Sequence, residues 1–196
     1  MGDDLSVPGL AGAVLTGGAS RRMGRDKALL PVDGVPLAVR VARVLAEAGA
    51  DPVLAVGGDL DGLRAAGLTA VPDPRQGAGP LAGIAAALRA LDADIVVVLA
   101  CDLPAASALA VRAVVDALAA DPDAHVAVPV VDGLPQPLHA AWRRSALPVV
   151  EAALDAGQGA VRHVLDALSA RPVAGLDPAW FANANHPGDL AADSGA

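Results

Sequence analysis

The stretch 14-VLTGGASRRMGRDKALLP-31 ends an apolar strand in a Gly-Gly turn and then places Arg21, Arg22, Arg25 and Lys27 within seven residues. Like charges this close repel one another, so the loop reads as a site for an anion or, for Arg21, Arg22 and Arg25 taken alone, as an ordinary solvated turn, rather than as a stabiliser of the fold. Gly17 and Gly18 leave bare backbone N–H groups that can approach such an anion. An apolar strand running into a loop of this kind is the arrangement of open α/β sheets, whose ligands sit beyond the carboxyl ends of the strands.

Outward from this stretch, short β-branched apolar runs alternate with Ala/Leu-rich amphipathic segments. The pattern predicts strands at 11–16, 52–56, 69–71, 95–100 and 125–130, with helices at 36–48, 60–66, 80–91 and 107–119. Strand-helix alternation requires crossover connections, and so predicts a three-layer α/β fold around a mostly parallel central sheet. The opening loop, Asp73 and Asp102 each follow an expected strand, which puts them on one rim. After Val130 the pattern changes to a Pro/Gly-punctuated stretch, 132-DGLPQPLHAAW-142, followed by helical patterns over 147–156 and 160–168. In the closing segment, 180-WFANANHPGDL-190, Trp180 and Phe181 are expected to anchor the chain to the core. One domain is expected over 1–196, with its core at about 10–190 and loose ends at 1–8 and 191–196.

Composition narrows the function. The chain has 196 residues, 54% of them hydrophobic, enough for one domain with a full core. A formal net charge of -8 argues against a general binder of nucleic acid or anionic membrane, so the basic loop is a local exception. A single cysteine, Cys101, excludes an internal disulfide or a Cys-cluster zinc site and suits a reducing cytosol. The richest apolar runs are broken by Asp, Arg or Gly, and the first ten residues lack a basic n-region. A cytoplasmic protein is the expectation.

The type of phosphate loop can be narrowed by elimination. A Walker loop needs Lys and then Ser or Thr directly after its last Gly, whereas Gly24 is followed by Arg25, Asp26, Lys27 and Ala28. The dinucleotide fingerprint fails because Gly17 and Gly18 are adjacent and the next glycine is Gly24. A strand, a tight Gly-Gly turn and clustered cations remain, which suit a nucleoside triphosphate.

The run LTGGASRRMGRDKALLPVDGVPL resembles the N-terminal signature of nucleotidyltransferases with a Rossmann-like fold, and most closely that of the molybdenum cofactor guanylyltransferase family. Four further elements are similar in order: 73-DPRQGAGPLAGI-84, 101-CDLP-104, 136-QPL-138 and 181-FANANHPGDL-190. The resemblance implies that Leu15, Thr16, Gly17 and Gly18 line the guanine nucleotide, with Lys27 on its phosphates and Asp73 and Gly79 in contact with it. It implies Mg2+ at Asp102, and an acceptor, the terminal phosphate of molybdopterin, met by Gln136, Asn183 and Asn185. The implied partners are GTP, molybdopterin and proteins that make or receive the molybdenum cofactor, with neither nucleic acid nor membrane. Two departures stand out. Thr16 occupies a position where the family usually has Ala, and Gly57 and Gly58 lie where some members place a nucleotide-contacting Asn.

The chemistry of the residues agrees with this assignment. Nucleotidyl transfer builds negative charge on phosphoryl oxygens, so the protein's part is positioning and positive charge. Lys27, Arg22 and the Gly17 and Gly18 amides would hold the triphosphate, and a lone carboxylate such as Asp102 suits Mg2+, which keeps phosphate oxygens and water among its ligands. Lys27, Arg22 and Asp102 are therefore the expected catalytic set, and Arg25 the spare cation. Asn183 and Asn185, two apart, would face one side if extended. Other readings stay open: the same reaction with another nucleotide or acceptor, such as cytidylyl transfer, or a non-catalytic nucleotide-binding module. Asp73 and Asp102 also read as turn residues, and 77-GAGPLAG-83 as a helix start with Pro80 in its first turn. Cys101 reads as a small buried hydrophobe, and His125, His139, His163 and His186 as surface or hydrogen-bonded residues.

Overall fold

Continuous apolar runs supply the central strands. The computed structural model describes residues 9–17 and 26–184. From β1 (Leu10–Leu15) the chain passes through the short β2 (Pro31–Val32) and β3 (Val35–Pro36) to α1 (Leu37–Glu47), β4 (Val53–Val56), α2 (Leu60–Ala65) and β5 (Thr69–Val71). Next come α3 (Pro80–Ala90), β6 (Ile95–Ala100), α4 (Ala108–Ala119), β7 (Val126–Val131) and β8 (Leu134–Pro135). β9 (His139–Arg143), α5 (Leu147–Asp155), α6 (Arg162–Leu165) and β10 (Ala170–Val173) complete it. β1, LAGAVL, is buried at every position, as a strand covered on both faces must be.

The main sheet runs β10-β7-β9-β6-β1-β4-β5, with β8 added to β7. β1 pairs in parallel with β4 and β6, β4 with β5, and β7 with β10. β9 lies antiparallel between β6 and β7. The sheet is thus mostly parallel, as the strand-helix alternation requires. The expected strands at 69–71 and 95–100 are matched residue for residue, and the others to within one residue at either end. The helix ends differ because the outermost residues are caps: Ser107 accepts from the Leu109 N–H ahead of α4, and Ala48, Ala66, Leu91 and Ala156 are C-caps.

Three parts of the C-terminal half correct the sequence reading. The stretch 132–142, to which the sequence pattern assigns no element, turns at Asp132 and Gly133, both at positive φ, and delivers β9 into the middle of the sheet. The helical pattern over 160–168 forms only the short α6, although Val161, Val164 and Leu168 are buried as that pattern requires. β10 escapes the sequence reading, since Pro172 weakens a strand signal; as an edge strand paired, among the described residues, to β7 alone, it tolerates the proline.

Each sheet face carries an apolar layer. Ala11, Ala13, Val96, Val98 and Trp142 pack under α3, α5 and α6. Leu10, Val14, Val97, Leu99 and Ala141 pack under α1, α2 and α4. Phe181 is buried with Ala110 and Val131, and Trp180 packs against them, so the closing segment is anchored as expected. Among the described residues no helix is long and apolar enough to cross a membrane.

Candidate active site

Because β1, β4, β5 and β6 run parallel, the loops after them share one rim. Leu15 and Thr16 are buried where β1 ends. The Thr16 hydroxyl lies 3.0 Å from the Val56 carbonyl and 2.8 Å from that of Gly57, and its single proton is donated within this pair of acceptors. The N–H groups of Thr16 and Gly17 both donate to the Val56 carbonyl, at 3.0 and 3.1 Å. This corrects the expectation of a bare Gly17 amide: its N–H is already bonded, and Gly17 offers the rim its bare Cα instead. Gly57 sits at φ 79, and a Cβ on it would stand 3.0 Å from the Gly17 Cα and 3.5 Å from the Asp73 Cβ. Gly17, Gly57 and Asp73 thus form one corner, where backbone passes backbone. Asp73 accepts from the Arg75 N–H at 2.9 Å.

The opposite charges of the site meet beside this corner. Asp26 caps the 3-10 turn Lys27–Leu29 by accepting from the Ala28 N–H at 3.0 Å, and its other oxygen accepts from the Asp59 N–H at 2.7 Å. The turn holds the Lys27 Nζ 3.2 Å from the Asp102 Oδ2, with side chains 15% and 27% exposed. Asp102 follows β6, and its carbonyl receives the Ala184 N–H at 3.0 Å, so the closing segment docks on it. Next to it the Cys101 thiol is pushed up to about 12 by burial, with the Asp102 charge acting in the same direction. It stays protonated at neutral pH and is no nucleophile.

On the far side, Gln136 turns the chain from β8 to β9: its N–H donates to the Pro129 carbonyl at 2.8 Å and its Nε2 to the Leu134 carbonyl at 3.4 Å. The Ala100 N–H donates to the Leu138 carbonyl at 2.8 Å, which brings 136–138 to the end of β6. Asn183 is exposed, one residue before the Ala184 contact with Asp102. Gln136 and Asn183 therefore share the Asp102 side of the rim, while Gly17 and Asp73 lie on the β4 and β5 side. Gly79 is the exposed residue before α3, with Pro80 in the first turn. Gly18, Arg21, Arg22, Arg25, Asn185 and His186 lie outside the described residues.

One histidine corrects the sequence reading. His163 is exposed, but His139 is 1% exposed and neither ring nitrogen has a partner among the described residues. Its ring meets that of Phe181 at 4.7 Å, and burial lowers its pKa to about 4. Two roles escaped the sequence reading altogether. Thr16 ties β1 to β4, and Asp26 ties the Lys27–Leu29 turn to Asp59 ahead of α2; an Asp two residues before Ala28 signals the cap of that turn but not the distant bond to Asp59.

No group of three or more His, Cys, Asp or Glu gathers as a metal site among the described residues. Asp102 offers one carboxylate, with the Lys27 ammonium at 3.2 Å. That donor set fits a Mg2+ whose remaining ligands are phosphate oxygens and water, and not a cation held by protein alone.

A rim divided by a Lys-Asp pair on a mostly parallel sheet has relatives. Residues 12–173 match the MobA-like NTP transferase domain family. The chain belongs to that family. Like the other MobA-like proteins it is a nucleotidyltransferase. It is 36% identical over 188 residues to the molybdenum cofactor guanylyltransferase of Rhodobacter capsulatus, covering 93% of each chain. It is 52% identical over 102 residues, half of either chain, to a probable molybdenum cofactor guanylyltransferase of Opitutus terrae. Among solved structures, molybdopterin-guanine dinucleotide biosynthesis protein A from Archaeoglobus fulgidus is 26% identical and superposes with a TM-score of 0.74, covering 93% of this chain and 95% of that one.

Proposed function

We infer that this MobA-like chain transfers GMP from GTP to molybdopterin, releasing pyrophosphate and forming the guanine dinucleotide form of the cofactor. The observation that carries this reading is the Lys27–Asp102 pair, 3.2 Å apart on the rim between the Gly17–Asp73 corner and the Gln136–Asn183 side. A phosphate oxygen of the acceptor attacks the α-phosphorus of GTP. The bond from that phosphorus to the bridging oxygen breaks, and its electron pair leaves with pyrophosphate. The attacking oxygen is already anionic, so no side chain needs to remove a proton. The chain supplies placement and charge. The Gly17–Gly57–Asp73 corner receives the nucleotide, Lys27 faces the phosphates, and Gln136 and Asn183 orient the acceptor. Mg2+ held at Asp102 supplies, when bound, further positive charge for the phosphate oxygens. Without nucleotide, Lys27 and Asp102 compensate one another, which keeps the pair poised at a partly buried site.

The test is direct. The protein is incubated with Mg2+, molybdopterin and each of the four NTPs in turn, and pyrophosphate is measured. GTP should give the fastest release, and omission of Mg2+ should abolish it. Equal or faster release with CTP would replace guanylyl by cytidylyl transfer.

A further inference from the structure

The 77–79 turn and the loop at Gly159 meet backbone to backbone. Gly79 has φ 88, and a Cβ built on it would stand 2.7 Å from the Gly159 carbonyl oxygen. A Cβ on Gly159 would stand 2.0 Å from the Ala78 carbonyl oxygen. In the first turn of α3 the Leu81 N–H donates to the Gly159 carbonyl at 3.3 Å. The Arg75–Asp155 and Arg89–Glu151 ion pairs, at 2.6 and 2.7 Å, draw the same segments together. These pairs are partly exposed and hold weakly. The glycine contact therefore sets how closely the segments approach.

We propose that Gly159 is a positioning residue for the donor nucleotide, setting through Gly79 where the 77–79 turn stands on the rim. The proposal rests on the reading of the Asp73 corner as the GTP site. A chain of bonds links that corner to the glycine contact. Asp73 accepts from the Arg75 N–H at 2.9 Å, and the Arg75 carbonyl accepts from the Ala78 N–H at 3.0 Å. Ala78 is the residue that a methyl group on Gly159 would strike. Relieving a 2.0 Å approach to beyond 3.0 Å moves the Ala78 peptide by about 1 Å, and a misplacement of that size costs on the order of 100-fold where a substrate is held for reaction.

The experiment uses the full chain. In Gly159→Ala, GTP affinity, read by displacement of a fluorescent GTP analogue, should fall at least about tenfold. The KM for GTP should rise while that for molybdopterin stays within about threefold, a split that general loosening would not give. Gln158→Ala, at the exposed neighbour, should bind GTP as the parent does. In the unsubstituted chain, GTP should slow amide exchange both at 77–81 and at 158–161, a readout that does not depend on the variant folding. A Gly159→Ala affinity within threefold of the parent, or protection confined to 73–81, overturns the proposal. A parent chain that binds no GTP overturns the donor reading and this assignment with it.

Discussion

Lys27 and Asp102 sit 3.2 Å apart with most of each side chain covered, so the two opposite charges face one another on the rim. Removing the cation takes away a donor aimed at oxygens that gain negative charge in the transition state. Loss of one such donor costs about 3 to 4 kcal/mol, so Lys27→Ala should lower pyrophosphate release roughly 100- to 1000-fold. Asp102→Asn keeps the shape but weakens the carboxylate; turnover should drop at least as far, with metal-free GTP binding changed less. If both variants turn over within about threefold of the parent at saturating Mg2+ and GTP, their catalytic assignment is wrong. Thr16 belongs to the same scale but to stability. Its hydroxyl bonds across to the end of β4, so Thr16→Ala should cost about 1 kcal/mol, read as a lower urea midpoint with the rate little changed. A rate loss without a stability loss would place Thr16 on the nucleotide instead.

Among the elements, β9 does most to shape the acceptor side, because its start carries Gln136 and Leu138 to the end of β6. It also buries His139 against Phe181. With its pKa lowered from 6.5 to about 4, this imidazole stays neutral in the folded chain while the unfolded chain takes up a proton between those values. Above pH 6.5 the difference costs nothing; as the pH falls from there towards 4, stability is progressively lost. By pH 5 the loss from this group alone is about 2 kcal/mol. Urea midpoints of the parent and of His139→Leu at pH 7.5 and pH 5 measure it. The parent should lose more than the variant by roughly that amount, and equal losses would show that burial of His139 carries no proton penalty.

For the whole molecule, the two apolar layers share the same strands. In β1, Ala11 and Ala13 face α3 while Leu10 and Val14 face α1 and α4; in β9, Trp142 and Ala141 divide the same way. Neither layer can melt and leave the other its sheet. Calorimetry should therefore show one transition, with calorimetric and van't Hoff enthalpies in agreement. Trp142→Ala, at a fully buried position, should destabilise by about 3 to 5 kcal/mol and move that single transition down as a whole. Two separated transitions would mean that the chain is not one cooperative domain.

The amino-acid sequence by itself determined the parallel half of the sheet and the rim. The runs at β1 and β6 are apolar throughout, because a strand covered on both faces has no solvent side to mark. Strands in parallel order then bring Thr16, Asp73 and Asp102 to one edge without further information. What only the tertiary structure decided was β9, β10 and the fate of individual polar groups. The β9 sequence, HAAWR, has little strand propensity; it becomes a central strand because alanines fit between β6 and β7 and the turn at Asp132 and Gly133 aims it there. The burial of His139, the Thr16 bond to β4 and the contact of Gly79 with Gly159 are all meetings of residues 40 or more positions apart, which local patterns of period 2 or 3.6 do not encode.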